Sequence, residues 1–171
     1  IVPSKAVAEL QRMLGGEGDA VVRLSGNQIS FEIGESIIVS KLIEGNYPNY
    51  KQVIPGERKE RVTINREEFL HTVRRVSLLA SESSNSVKLT FSKGNIDVQA
   101  NSKDIGEAKE PVVADYDGEE FAIAFNPEFL MAPLKNLSED SVYLDLIDGM
   151  SPGVIRIDGS FLYVIMPMRN N

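Results

Sequence analysis

NREEFLHTVRRVSLL, residues 65–79, is the stretch on which the fold turns, because its pattern recurs twice at one interval. SKAVAELQRML begins at Ser4 and NPEFLMAPLKNL begins at Asn126, so the three openers stand 61 residues apart. Ser and Asn are good N-cap types, since their side chains accept a hydrogen bond from a first-turn N–H that the helix leaves free. Each opener follows short apolar or β-branched sequence: Ile1-Val2, Val62-Thr63-Ile64 and Ala122-Ile123-Ala124-Phe125. A period of this size marks one supersecondary unit used repeatedly.

Three strand-like runs follow each helix. In the first unit, helix 4–14 stops at Gly15-Gly16, where glycine supplies a left-handed C-terminal conformation. Strands are expected near 20–24, 28–33 and 36–43, with turns at Ser25-Gly26-Asn27 and Gly34-Glu35. In the second, Val87, Leu89 and Phe91 alternate with Lys88 and Thr90, a period-2 strand pattern. Gly94-Asn95 turns into a strand at 96–100, and a polar strand runs from about Ile105 to Ala114. In the third, Val142, Leu144 and Leu146 alternate with Tyr143 and Asp145, followed by strands at 154–157 and 161–166. Each unit therefore reads β-α-β-β-β, and the class is α+β. Residues 44–60, EGNYPNYKQVIPGERKE, break the pattern and place a domain boundary, giving domains 1–54 and 55–171. The second and third units make a complete domain, whereas the first is half of one, with its helix and sheet edge uncovered. Because Ile1 falls inside a repeat, the start reads as an N-terminal truncation.

Composition narrows the function. A 171-residue chain that is 42% hydrophobic can bury one or two cores. The absence of cysteine excludes disulfides and thiolate metal sites and permits a cytoplasmic setting. No apolar run approaches the roughly 20 residues that span a bilayer, so no membrane partner is expected. A formal charge of −7 argues against a dedicated tight nucleic-acid binder. The helices nevertheless carry Lys5, Arg12, Arg66, Arg74, Arg75 and Lys135 against Glu9, Glu67, Glu68 and Glu128, a balance of +2 that leaves −9 elsewhere. They could face an anion, though ordinary solvated charges account for the pattern equally well.

Catalysis finds no foothold. His71, the single histidine, sits mid-helix without a spaced partner, and Ser83-Ser84 carries no signature of an activated nucleophile. Gly15-Gly16-Glu17-Gly18 lacks a following Lys-Ser/Thr and succeeds a helix, so it is no phosphate loop. Asp145, Asp148 and Asp158 are the best candidate cation ligands, on strand and turn. No catalytic residue, metal or cofactor is expected. The tail from Tyr163 to Arg169 is apolar and methionine-bearing, and reads either as a core strand with a frayed end or as an adaptable partner surface. Tyr47, Pro48, Tyr50 and Val53 form a second half-exposed apolar set; if the two sets meet they form a groove at the domain junction.

The tail YVIMPMR, the linker YPNYKQVIP, the run SKLIEGNYPNY and the segment ANSKDIGEAKE together resemble the bacterial sliding clamp, the beta subunit of DNA polymerase III, over the whole chain. The resemblance implies three similar domains of two β-α-β-β-β units each, joined head to tail with a second copy into a ring around DNA. This chain is similar to the last three units, the second half of the middle domain plus the C-terminal domain. It implies a groove for short, extended peptides of polymerases, the clamp loader and repair proteins, formed by Pro48, Gln52, Val53, Asn126, Phe129, Val164, Ile165, Met166, Pro167, Met168 and Arg169. Gln52 stands where the family commonly has arginine, and Phe129 where it commonly has tyrosine. Leu78 and Leu79, which also read as a helix core pair, match the family's ring contact, with the strand bearing Asp104, Glu107 and Glu110. Lys5, Arg12, Arg74, Arg75 and Lys135 match the DNA-facing set, where weak, salt-sensitive attraction to phosphates suffices. The implied protein is a non-enzymatic processivity factor, a homodimer at full length, whose ring this chain alone cannot close. Two other readings stand beside it: a free-standing peptide-interaction module, and a metal-dependent or carbohydrate-acting enzyme using the three aspartates.

Overall fold

A computed structural model describes residues 1–80, 85–102 and 105–169. The chain divides into two compact units, Ile1–Asn49 and Tyr50–Asn171.

The first unit has one helix, α1 (Ser4–Met13), and an antiparallel sheet of β1 (Ala20–Ser25), β2 (Gln28–Ile33) and β3 (Ser36–Lys41), in that order. Its burial is limited to Ala6, Ile29 and Phe31, while Leu24, Ile37 and Val39 are more than 60% exposed. Three details differ from the sequence reading. The N-cap is Pro3, not Ser4: the Pro3 carbonyl accepts from the N–H groups of Ala6 and Val7, and no side chain caps the helix. Proline's fixed φ, −60° here, sets up the first turn without a side-chain acceptor. At the other end Leu14, with ψ of 76°, already turns the chain out, so Gly15 and Gly16 are not left-handed and the first positive φ falls on Gly18. Ile1 and Val2 form no strand; Ile1 contributes one bond, its carbonyl accepting from the Ile43 N–H at 2.8 Å.

The second unit contains β4 (Glu60–Asn65), α2 (Arg66–Ser77), β5 (Val87–Ser92), β6 (Asn95–Ser102), β7 (Gly106–Asp115), β8 (Phe121–Phe125), α3 (Pro127–Asn136), β9 (Ser141–Leu146), β10 (Gly153–Ile157) and β11 (Phe161–Ile165). Asn65 and Asn126 cap their helices, each Oδ1 accepting at 2.9 Å from the N–H of Glu68 or Glu128. The strand order is β11-β10-β9-β4-β7-β6-β5-β8. Within it the two repeats exchange their leading strands: β4 pairs with β9 along its whole length, and β8 does the same with β5. Neither repeat therefore holds its own ladder complete.

The end of β4 also reaches β7, where Thr63 stands opposite Asp115 and Ile64 opposite Ala114. The repeat places Ala124 in the position of Thr63, 61 residues on. There the Ala124 carbonyl accepts from the Met168 N–H at 2.7 Å. The segment beyond β11 thus occupies in the second repeat the place that the end of β7 occupies in the first. The curled sheet is drawn toward closure on itself.

Inside, the helices α2 and α3 pack together. Phe69, Val73 and Val76 of α2 and Leu130 and Leu134 of α3 are almost completely buried, with Val87, Leu89 and Phe91 on the inward side of β5. Phe91 stacks on Phe121 at 4.9 Å and meets Tyr116 edge-on at 5.9 Å. Asp145 breaks the alternation expected of β9, being only 5% exposed.

The caps give a direct check. Asn65→Ala should cost about 1 kcal/mol of stability, whereas Ser4→Ala should change it by less than about 0.5 kcal/mol. Urea unfolding monitored in each unit reads both, and an equal loss at the two positions would contradict the assigned caps.

Candidate functional site

The tail is held from two sides. β11 pairs in register with β10, Tyr163 opposite Ile155 and Ile165 opposite Gly153. Pro167 has no N–H to donate, yet the next residue bonds Ala124, so the chain from Tyr163 to Met168 stays anchored. Ile165 is buried; Val164, Pro167 and Met168 are half-buried; Met166 stands 59% exposed.

Two open depressions meet at this tail. One, of about 460 Å³, is lined by Asn126, Phe129 and residues 163–168. The other, of about 680 Å³, is lined by Ala122, Ile123, Ala124, Gly149, Met150 and residues 166–169. Met166, Pro167 and Met168 line both, and both volumes fall in the range of small-ligand sites. Phe129 lines the first one turn after the Asn126 cap starts α3, and the residue is 57% exposed. The Asn126 side chain uses Oδ1 on the cap, and among the described residues its amide nitrogen donates to nothing. Flexible thioethers beside an exposed ring suit apolar anchors of varied shape. Gln52 ends the 3-10 turn Tyr50–Gln52, Val53 follows it, and both are exposed and line neither depression. Pro48 is exposed within the first unit.

The helical charges separate into two groups. Arg12 pairs with Glu9, and Arg66 donates to the carbonyls of Leu134 and Glu139. Arg75 donates to Glu110 at 2.6 Å and to the Thr72 hydroxyl at 3.1 Å. Among the described residues Lys5, Arg74 and Lys135 are exposed and make no salt bridge. His71 is also exposed, 3.9 Å from Glu67.

β7 pairs with β6 from Gly106 to Val113, but meets β4 only at Ala114 and Asp115. Among the described residues one side of Gly106–Val113 has no strand partner and is an open edge, where Pro111 is tolerated without its N–H. Glu107 accepts from Gln99 and Glu110 from Arg75. Leu78, just past α2, is 76% exposed, and Leu79 is half-buried. Asp104 and Ser83-Ser84 lie outside the described residues.

The three aspartates do not form a cation site. Asp145 faces Arg61 at 2.7 Å, Arg156 at 2.9 Å and Arg58 at 3.8 Å. Asp158 bonds the same Arg61, whose guanidinium also lies 4.6 Å from the Tyr143 ring centroid. These carboxylates hold Arg61 even more firmly protonated than usual. Asp148 caps its own loop, accepting from the N–H groups of Met150 and Ser151, which pull its pKa below the usual carboxylate range. Among the described residues no group of three or more His, Cys, Asp or Glu is placed to hold a metal ion. Nor is any described helix long and apolar enough to cross a membrane.

Against known proteins, residues 51–169 match the model of the C-terminal domain of the DNA polymerase III beta subunit, and residues 1–49 match that of its central domain. The chain belongs to the DNA polymerase III beta subunit family. Beta sliding clamps of Chlamydia pneumoniae and Caulobacter vibrioides are 37% and 34% identical to it. Each alignment covers 99% of this chain and 46% of the relative, so the chain spans about half the length of the curated clamps it matches. The Bartonella birtlesii sliding clamp bound to griselimycin superposes with a TM-score of 0.93 at 36% identity, over 99% of this chain and 47% of that one. A Pseudomonas aeruginosa clamp with ligand gives 0.92 at 31% identity, again over 99% and 47%. Family and α+β architecture thus agree with what the tail and linker motifs implied.

Sequence reasoning passed over the loop that walls the second depression. Gly149 belongs there because a Cβ would come within 2.5 Å of the Ala122 carbonyl oxygen, and Met150 beyond it is 82% exposed. In the sequence Asp148-Gly149 reads only as a turn.

Glu110 offers a pH check on the Arg75 pairing. The Arg75 hydrogen bonds hold its carboxyl below 4.5, its ordinary value. A depressed pKa contributes stability above the unfolded value that is lost as pH falls through the folded one. Carboxyl-carbon NMR should show Glu110 titrating below pH 4.5 and rising toward that value in Arg75→Gln; an unchanged midpoint would sink the pairing.

Proposed function

We propose that this chain is part of a DNA polymerase processivity clamp, and that its tail captures short, extended, apolar-containing peptides of polymerases, the clamp loader and repair proteins. The observation that carries the reading is exposed Met166, flanked by two depressions along a tail fixed at both sides. Phe129 and Met166 supply apolar surface, while Asn126 and Arg169 supply polar orientation. Gln52 and Val53 are proposed to extend the site. Gln52 in place of arginine and Phe129 in place of tyrosine each remove a donor, so the fit relies more on apolar contact. Residues 1–54 correspond in this reading to the second half of the middle domain with its linker, and 55–171 to the C-terminal domain.

The whole protein is proposed to encircle DNA as a cytoplasmic homodimer, to read no bases and to catalyse nothing. Lys5, Arg74 and Lys135 then give weak attraction to phosphates, joined by Arg12 and Arg75 when their carboxylate partners release them. Leu78 and the open edge of β7, with Glu107 and Glu110, provide the contact to the next protomer. The acidity of that edge discourages indiscriminate strand pairing.

Calorimetric titration with a QLxLF-type peptide tests the site. Anchor side chains at such grooves contribute on the order of 1–2 kcal/mol each, so a Met166→Ala, Met168→Ala double variant should bind about 30-fold more weakly or worse. Its β10–β11 ladder, read by NMR, should be intact. Undiminished binding by that variant would defeat the assignment of the tail.

A further inference from the structure

Around Asp145 the structure gathers more guanidinium than carboxylate. Arg61 engages every one of its nitrogens: Nε and Nη2 donate to the two Asp145 oxygens at 2.7 and 3.0 Å, and Nη1 donates to Asp158 at 3.0 Å. Two more arginines face the same carboxylate without hydrogen-bonding to it. Arg156 Nε lies 2.9 Å from Asp145 Oδ2, yet its N–H points off that line and the buried nitrogen has no hydrogen-bond partner. Arg58 Nη1 is 3.8 Å from the same oxygen, beyond hydrogen-bond range. A buried donor left without an acceptor is unfavourable, and three guanidiniums against Asp145 and Asp158 leave one positive charge over.

A pocket of about 230 Å³ opens beside these two arginines, with Pro55, Leu146 and Val154 in its wall. We propose that it binds one carboxylate carried on a short apolar body, clamped by Arg58 and Arg156. Planar guanidinium forks match a carboxylate in pairs, and the apolar wall accommodates an aliphatic group. Glu57 also lines the pocket and makes no ion pair with either arginine among the described residues. Its charge brings Arg58, Arg61 and Arg156 into balance with Asp145, Asp158 and Glu57 and disfavours a dianion such as phosphate. Recognition of a monoanion therefore rests on the guanidinium forks and the unpartnered Arg156 N–H and not on excess charge. The pocket shares no lining residue with the two depressions at the tail, so the proposal does not depend on the peptide site. The carboxylate can come from a free aliphatic acid or from the C-terminal residue of a peptide.

The test is NMR on the 171-residue chain, following arginine Nε–Hε signals during titration with N-acetyl-leucine, its C-terminal amide, and acetyl-Gly-Ser-Gly-Leu with a free carboxylate. The acid should shift Arg58 and Arg156 saturably and the amide should not. Arg58→Gln should weaken binding about tenfold, the size of one charge-assisted hydrogen bond, while the Arg61 signals that report its Asp145 pairing stay in place. Tighter binding of the peptide than of the acid marks a chain terminus as the ligand; equal binding marks a free acid. No shift, equal shifts with acid and amide, shifts reproduced by sodium chloride at matched ionic strength, or undiminished binding by Arg58→Gln would each overturn the site.

Discussion

The larger unit depends on its two repeats exchanging leading strands. β4 completes the ladder of β9, and β8 completes that of β5. Because each repeat's hydrogen bonds are satisfied by the other, the two halves of the sheet on which α2 and α3 bury their apolar faces cannot separate without unpairing both ladders. The same exchange fixes the tail. β8 lies at the end of the strand order, and its Ala124 carbonyl takes the Met168 N–H at the position where, one repeat earlier, Thr63 in β4 stands opposite Asp115 in β7. A seven-residue apolar segment that could have frayed becomes a floor with one face buried at Ile165 and the other open at Met166. Preorganisation of this kind lowers the ordering entropy a ligand must overcome.

Charge follows the same economy of placement. On a chain of net −7, half of the basic side chains carried by the helices are tied to partners within the fold: Arg12 to Glu9, Arg66 to the carbonyls of Leu134 and Glu139, and Arg75 to Glu110. What remains unpaired among the described residues, Lys5, Arg74 and Lys135, is sparse, and on the proposed reading would give a polyanion attraction without tight binding. The Arg75–Glu110 pair also joins α2 to the open edge of β7, so the helix surface and the sheet edge are electrostatically linked.

The caps at Asn65 and Asn126 and the alternation of Val87, Leu89 and Phe91 were readable because each is a local preference that the fold leaves undisturbed. Ser4 was not, since a proline one residue earlier starts the helix by its own geometry. Asp145 misled for a different reason. Alternation along β9 puts it outward, but Arg58, Arg61 and Arg156, far apart in sequence, converge on it once β4 and β10 flank the strand. The family motifs pointed to the tail, yet what holds Met168 becomes visible only when the 61-residue offset is applied to strand partners as well as to helices. Met150 was hidden because its position depends on a glycine's approach to a distant carbonyl.

The central claim is that the tail is a preformed floor, held before any ligand arrives. Amide hydrogen exchange at Met168 in the free protein tests it directly. The account predicts protection comparable to that of the β10–β11 ladder amides, because the Met168 N–H is committed to Ala124. Exchange at the rate of an unstructured chain end would contradict it, and would make the site one that orders only on binding.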